Sequence, residues 1–323
     1  MIVVTGGGGF IGSRVVARLG EDNVPAAVIE DFTRAEKWAN LRVDNLYDLV
    51  DWQDAFVWLD ANADAVSAVV HMGAISSTTV TDLDLIRRKN VRFTLELWAW
   101  CAQHGKPLVY ASSAATYGAG EHGFLDTLSL DDLRKLKPLN MYGWSKQVAD
   151  LRILRDAANG APTPPHWYGL KFFNVYGPNE AHKGSMRSVA LKLYEQLHGS
   201  GYLTLFRSHH PDYEDGKQLR DFVYVDDVAD VIVWLLRGGA PSGLYNVGTG
   251  KAEPFLAIAE ALLRETGKDV PVTYVDMPAN IRDQYQYYTE ADIKKLRQAG
   301  YNGGFRDVAA GVASYVKALQ SGS

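Results

Sequence analysis

The chain has 323 residues, 47% hydrophobic and 22% charged, with 33 lysines and arginines against 38 acids for a net charge of −5. That is an ordinary globular composition, large enough for one big domain or two modest ones, and it lacks the basic excess of a nucleic-acid binder. A lone cysteine, Cys101 in "WAWCAQHG", excludes an internal disulfide and a cysteine-rich zinc site and reads as a core residue.

In chain order, "IVVT" is a short β-branched strand and "FIGSRVVARLG" a helix ending on Gly20. "AAVIED" is a second strand closing on two acids. A helical stretch follows around "DWQDAFVWLD", then "AVSAVVH" as a third strand. "DLDLIRRKNVRFTLELWAWCAQHG" reads as one long helix and "PLVYASS" as a fourth strand. Strands alternating with helices imply parallel βαβ units in a doubly wound α/β sheet, and the nearly continuous apolar strands imply a sheet covered on both faces. After about residue 174 the pattern loosens into long polar segments, "GPNEAHKGSM" and "RSHHPDYEDGKQLRD". Loops of that length are usually functional. The expected organisation is a dinucleotide-binding part over 1–174, to which some later segments return, and a smaller α/β substrate-binding part over 175–323. No apolar run approaches a membrane span and no signal peptide opens the chain, so the expected setting is the cytoplasm, with no membrane partner. The closing "SGS" is small and polar.

"TGGGGFIGS" places Gly6, Gly9 and Gly12 three apart, directly after a strand and opening a helix. In that setting one glycine permits the tight turn, one admits a pyrophosphate and one lets helix pack on strand. The helix N-terminus then offers free N–H groups to phosphate. Glu30 and Asp31 end the second strand, where a carboxylate holds ribose hydroxyls and favours NAD; Arg34 and Lys37 follow at once and suit a 2′-phosphate. A dinucleotide, NADP or NAD, is the expected cofactor.

Two Tyr-x-x-x-Lys spacings occur, Tyr142 to Lys146 in "NMYGWSK" and Tyr213 to Lys217 in "YEDGK". On a helix, residues four apart share a face, and a phenol beside an ammonium has an easier route to phenolate. Context separates the two pairs. "NMYGWSK" follows a Lys-Pro that reads as a helix entry, whereas "YEDGK" lies in a polar loop. Ser112 and Ser113 end the fourth strand, where a doubly wound sheet binds its ligands and a hydroxyl can steady a substrate oxygen. Ser113, Tyr142 and Lys146 form the expected catalytic set. His182, His209 and His210 offer no ligand spacing with carboxylates or cysteine, so no metal is expected. The eight tryptophans read as core or subunit contacts.

The glycine spacing, Ser113 and Tyr142–Lys146, together with "FFNVYGP" (172–178), "RDFVYVDDVAD" (220–230) and "YNVGTG" (245–250), resemble the extended short-chain dehydrogenase/reductase family of nucleotide-sugar epimerases and dehydratases over nearly the whole chain. Within it, "ISSTT" (75–79), "ASSAATYG", "FNVYGPNEAHKGSM" and "YTEADIKKLRQAGY" resemble the members that act on an ADP-activated heptose; "DQYQYY", Met72 and Lys89 depart from their pattern. The resemblance implies epimerisation at C6 through a 6-keto intermediate, with Tyr142 as base, Lys146 on the nicotinamide ribose lowering the tyrosine pKa, and a tightly held cofactor, one per subunit. It implies Lys183 as a second acid/base. Cofactor contacts carry over onto Gly6, Gly9, Phe10, Ile11, Gly12, Glu30, Asp31, Lys37, Met72, Gly73, Ala74, Ser76, Asn90, Tyr142, Lys146, Val175 and Lys183. Substrate contacts carry over onto Ser113, Asn174, Ser185, Lys192, Phe206, Arg220 and Tyr285. The implied partners are an ADP-heptose substrate and further copies of the chain in a homo-oligomer. Ala114 and Ala115 stand where a 4,6-dehydratase carries acids, which argues against elimination of water. The alternatives are a UDP-hexose 4-epimerase, which uses the same three residues, and a non-catalytic dinucleotide-binding protein, which needs none of them.

Overall fold

A computed structural model describes residues 1–78, 80–126, 129–282 and 285–322. Thr79 of "ISSTT", Asp283 and Gln284 of "DQYQYY", and Ser323 of "SGS" lie outside the described residues, as do Thr127 and Leu128. The chain opens with β1 (Ile2–Thr5), α1 (Phe10–Glu21), β2 (Ala26–Glu30), β3 (Leu46–Asp51), α2 (Ala55–Ala61) and β4 (Ala68–His71). It continues with α3 (Leu83–Ile86), a π-helical turn over Arg87–Arg92, α4 (Phe93–Gln103), β5 (Leu108–Ser113), α5 (Leu130–Lys135), α6 (Met141–Ala158), β6 (Trp167–Phe172) and β7 (Asn174–Tyr176). The remainder comprises α7 (Val189–Gly199), β8 (Leu203–Phe206), β9 (Leu219–Tyr224), α8 (Val225–Leu236), β10 (Gly243–Val247), β11 (Ala252–Pro254), α9 (Phe255–Thr266), β12 (Val272–Val275), α10 (Ala279–Arg282), α11 (Lys294–Gln298) and α12 (Val308–Ser321).

Seven strands form one parallel sheet in the order β10-β6-β5-β4-β1-β2-β3. The order reverses between β1 and β4, so the carboxyl ends of those strands border the crevice where doubly wound sheets bind ligands. β1, β2 and β4 are buried at every position, as strands covered on both faces must be. One face packs on α1 and α8 through Val15, Val16, Val228 and Ile232; the other packs on α2, α4 and α6 through Leu59, Leu97, Cys101 and Ile153. Two ion pairs, Arg14–Asp226 at 2.6 Å and Arg18–Asp230 at 2.7 Å, lace α1 to α8 across that first layer. A third core joins α7, α9 and α12 over the small β11-β9-β7 and β12-β8 sheets, with Leu193, Ile258, Leu262 and Val312 at its centre.

Several local readings need correction. β3 was not expected, so "AVSAVVH" and "PLVYASS" are the fourth and fifth strands. β3 is an edge strand, only half buried, and its mixed sequence lacks the continuous apolar run that marks its neighbours. β2 stops at Glu30, leaving Asp31 beyond it, and α1 runs one residue past Gly20. The expected single helix after "ISSTT" contains a wide turn over Arg87–Arg92. Asn90 anchors that turn, accepting from the Ile75 N–H at 2.8 Å and donating to the Ile75 carbonyl and the Ser145 hydroxyl. Such π-turns bulge a residue out of the helical repeat, often at functional sites. The entry to α6 is Asn140 rather than Lys-Pro, its side chain accepting from the Gly143 N–H at 2.9 Å.

Candidate active site

The glycine-rich turn sits at the carboxyl end of β1. Gly6 adopts φ +69°, a region that favours glycine, and the Gly9 N–H closes the turn on the Gly6 carbonyl at 2.9 Å. The N-cap of α1 is Gly9, which has no side chain to cap the helix. The N–H groups of Phe10, Ile11 and Gly12 therefore face outward with the positive end of the helix dipole. That donor set fits a dinucleotide pyrophosphate. Met72 and Gly73 are brought alongside, the Met72 N–H bonding the Thr5 carbonyl at 2.9 Å and the Gly73 N–H bonding Thr5 Oγ1 at 3.3 Å. Ala74 follows directly, and Ser76 beyond it is exposed.

At the end of β2, Glu30 is buried and accepts from the Gly8 N–H at 3.0 Å, the Asp31 N–H at 2.8 Å and Lys37 Nζ at 2.8 Å. Asp31 receives Lys89 Nζ at 2.7 Å, and that hydrogen bond holds its carboxyl down to about 2. Arg34 donates to the His182 carbonyl at 3.1 Å. Lys37 and Lys89 are each thus matched by a carboxylate, and Glu30 is fixed at the end of β2 beside the glycine turn.

The expected catalytic set assembles where β5 meets α6. Ser113 ends β5 and its Oγ accepts from the Ala115 N–H at 3.1 Å. Tyr142 lies half-buried in the first turn of α6, its phenol hydrogen-bonded to the Ser113 side chain. One turn later, Lys146 is 2% exposed and donates from Nζ to the Ala111 carbonyl at 2.8 Å. Burial raises the phenol above 10, with the Ser113 hydrogen bond working against it. Burial also draws Lys146 down to about 8, opposed by the carboxylate of Asp150. In the protein alone the causes acting on the phenol are burial and Ser113, and the Lys146 ammonium donates one of its three N–H groups to a backbone carbonyl. The protein alone therefore holds Tyr142 as a neutral phenol.

The "GPNEAHKGSM" segment, with a short helical turn over Ala181–Met186, lies against the glycine-rich turn and the start of α1. Asn179 Nδ2 donates to Ser13 Oγ at 2.9 Å, and Asn40 Nδ2 ties the Gly8 and Asn179 carbonyls together. Lys183 Nζ stands over the Phe10 ring, 4.8 Å from its centroid. Burial lowers its pKa and Glu180 opposes that. Glu180 itself is buried and accepts from the Gly177 N–H, Ser188 and the Tyr315 hydroxyl, which staples both ends of the segment to α12. Ser185 is exposed beside Met186, whose sulfur meets Thr78 Oγ1 at 3.9 Å. Lys192 is half-buried near Arg187 and Glu180. Val175 follows Asn174, whose Oδ1 accepts from Thr289 Oγ1 at 3.3 Å.

Further out, Arg220 is buried with its guanidinium 4.9 Å from the Tyr285 ring and 5.5 Å from that of Phe255, donating to the Leu219 and Gln286 carbonyls. Phe206 is exposed at the end of β8. The neighbouring Asp221 gathers the N–H groups of Thr249, Gly250 and Ala291, which accounts for the paired "RD" and "GTG" motifs. In the second Tyr-x-x-x-Lys, Lys217 pairs with Glu214 at 2.6 Å and Tyr213 packs on Tyr287 and His210. It plays no part in the Ser113–Tyr142 cluster. His209 Nε2 accepts from the Met277 N–H. Among the described residues no group of three or more His, Cys, Asp or Glu side chains is arranged to hold a metal ion, and no helix is long and apolar enough to cross a membrane. Residues that sequence reasoning missed are Asn40, Asn179 and Glu180 around the Lys183 segment, and Asp150 and Lys171 behind Ser113.

Residues 2–248 match the model of the NAD dependent epimerase/dehydratase family. The chain belongs to the NAD dependent epimerase/dehydratase family. Its glycine turn and Ser113–Tyr142–Lys146 cluster both fall within the matched span. Among curated members, it is 44% identical over 98% of its length to an ADP-L-glycero-D-manno-heptose-6-epimerase of Fusobacterium nucleatum, covering 97% of that protein. It is 44% identical over the same share to a protein of that name from Nitratidesulfovibrio vulgaris. The crystal structure of the Helicobacter pylori ADP-L-glycero-D-manno-heptose-6-epimerase superposes with a TM-score of 0.79 at 26% identity, over 99% of this chain and 96% of that one.

Proposed function

We propose that this chain is an NAD(P)-dependent nucleotide-sugar epimerase that inverts C6 of ADP-D-glycero-β-D-manno-heptose to give the L-glycero epimer. The observation that carries the chemistry is the Tyr142 phenol on Ser113, with Lys146 one turn away, beside an uncapped glycine turn. The choice of sugar rests on 44% identity to heptose epimerases over 98% of the chain.

Gly6, Gly9, Phe10, Ile11 and Gly12 hold the pyrophosphate, and Glu30 takes the adenosine ribose. Met72, Gly73, Ala74, Ser76, Asn90 and Val175 line the cofactor. When bound, the nicotinamide accepts and returns a hydride. Tyr142 Oη takes the hydroxyl proton, and Ser113 hydrogen-bonds the same oxygen as charge develops on it. Arg220 meets the diphosphate, for which a planar guanidinium is suited, and Asn174, Ser185, Lys192, Phe206 and Tyr285 surround the sugar nucleotide. Re-reduction from the opposite face places the oxygen elsewhere, and Lys183 holds the proton there. Lys183→Ala is expected to lower epimerisation by about 10²–10⁴-fold, the usual worth of a positioned acid or base, while reduction of bound cofactor by substrate persists. A loss of only a few-fold would leave Lys183 as a cofactor contact.

The test of the reaction is NMR at C6 after incubation with ADP-D-glycero-β-D-manno-heptose. Inversion without added cofactor is the expected result and also reports a retained dinucleotide. No conversion with either NAD or NADP supplied, alongside conversion of a UDP-hexose, would move the assignment to a 4-epimerase.

A further inference from the structure

Helix α6 presents three polar side chains at successive turns of one face, Tyr142, Lys146 and Asp150, and together they grip the last four residues of β5. Tyr142 meets the Ser113 side chain and Lys146 donates to the Ala111 carbonyl at 2.8 Å. Asp150 accepts from the Tyr110 hydroxyl at 3.0 Å and from Ser112 Oγ at 2.7 Å. Lys171 of β6 completes the third rung, with Nζ 2.8 Å from Asp150 Oδ2 and 2.8 Å from Thr116 Oγ1. Thr116 in turn donates to the Ser113 carbonyl at 2.8 Å. Both charged side chains have 0% exposure. A sealed ion pair gives up its hydration, and an apolar pair of equal volume often serves stability as well or better. Its place directly behind Ser113 and Lys146 gives it work that an apolar pair cannot do.

We propose that Asp150, held by Lys171, is a positioning residue for the reaction: it locks the Ser113 end of β5 against α6 and supplies the negative charge that keeps Lys146 an ammonium. This rests on Ser113, Tyr142 and Lys146 being the catalytic set. The other groups around Lys146 do not supply that charge. His71 of β4 is neutral, its pKa drawn down to about 3 by burial and then by Lys146, and is bonded to Thr5 and Thr94. Tyr110 of β5 and Tyr142 of α6 are held protonated by burial. Asn90 of the π-turn is uncharged and bonds Ser145, and Lys171 is turned to Asp150 and Thr116. Asp150 is the anion that acts on Lys146.

The test compares Asp150→Asn, Lys171→Met and the double variant. Two readouts are used: the pH profile of kcat, and the titration of Lys146 in cofactor-loaded protein carrying 13Cε-lysine, assigned by loss of its signal in Lys146→Met. Each single variant strands a buried polar group and is expected to melt several degrees lower, whereas the double variant recovers much of that loss. In the double variant Lys146 is nonetheless expected to titrate about one pH unit below wild type, since it lacks the opposing charge. The charged fraction of Lys146 at a given pH falls with it, so that activity at pH 8 falls about five-fold with KM little changed. A folded double variant whose Lys146 titration and pH profile match wild type would overturn the proposal and leave the pair structural. The titration needs no sugar, so a wrong substrate assignment would show as absent turnover in wild type with the Lys146 shift intact.

Discussion

Replacing Tyr142 by phenylalanine is expected to reduce epimerisation by about 10³–10⁴-fold, at the upper end for loss of a positioned acid–base group, while leaving the fold and the retained cofactor intact. The substitution removes one oxygen and keeps the ring that packs at the start of α6. The lost hydrogen bond to Ser113 is expected to cost only about 1 kcal/mol of stability. Activity suffers far more because the proton transfer has no other acceptor at that point. Lys146 Nζ is committed to the Ala111 carbonyl, and Ser113 Oγ is a far weaker base. The direction of the pKa shifts sets the pH behaviour. Burial holds the phenol above its ordinary 10 and Ser113 offsets part of that, so Ser113→Ala removes the offset and raises further the pH at which the phenol ionises. Lys146, drawn to about 8, loses its charge as pH rises through that value, below the pH at which the phenol ionises. Steady-state rates across pH 6–10 for wild type, Tyr142→Phe and Ser113→Ala, with released dinucleotide quantified in each, check these directions. A Tyr142→Phe enzyme retaining more than about one tenth of wild-type kcat would place the base elsewhere.

The parts of the site that the sequence made legible are those encoded over short spans. The glycine turn is written within "TGGGGFIGS", and Tyr142 and Lys146 one helical turn apart. Such signals need only the local period and the order of neighbouring elements. The misses are of a different kind. Asn40 and Asn179 carry no local mark, because their partners at Gly8 and Ser13 are distant in the chain. The π-turn at Arg87–Arg92 escaped because apolar spacing on either side of it satisfies one helix, and its cause, Asn90 reaching to Ile75 and Ser145, is tertiary. Lys171 was readable in principle. A charge within "WYGLKF", a strand buried at every position, demands a buried counterion, and Asp150 lies one turn beyond Lys146 on the face already identified. The phenol's raised pKa is not legible in the sequence, because its cause is the burial of Tyr142 in the folded protein, which the Tyr-x-x-x-Lys spacing does not encode.

Gly12→Ala is expected to strip the protein of its dinucleotide, although alanine is the better helix former by about 1 kcal/mol. A Cβ at position 12 would lie 2.1 Å from the Gly6 carbonyl oxygen, 2.8 Å from its carbon and 3.0 Å from Gly7 Cα. All three are backbone atoms of the turn itself, so no side chain can swing away to make room. Either α1 withdraws from β1 or the turn opens, and in both cases the N–H groups of Phe10, Ile11 and Gly12 leave the point where they converge on phosphate. Overpacking of this kind costs about 1–3 kcal/mol, which lowers the melting temperature by several degrees. The loss of a preorganised phosphate cradle is expected to weaken cofactor binding by about 10²-fold or more, since several charge-assisted hydrogen bonds are misaligned together. Gly199→Ala provides the contrast. That glycine ends α7, and a Cβ there meets nothing within 4 Å, so the substitution is expected to stabilise by about 0.4–1 kcal/mol through the unfolded chain and leave the cofactor in place. Dinucleotide content after gel filtration and thermal melts with and without added NAD separate the two cases. Retention of bound cofactor in Gly12→Ala would mean that α1 does not press on the turn as closely as a missing Cβ requires.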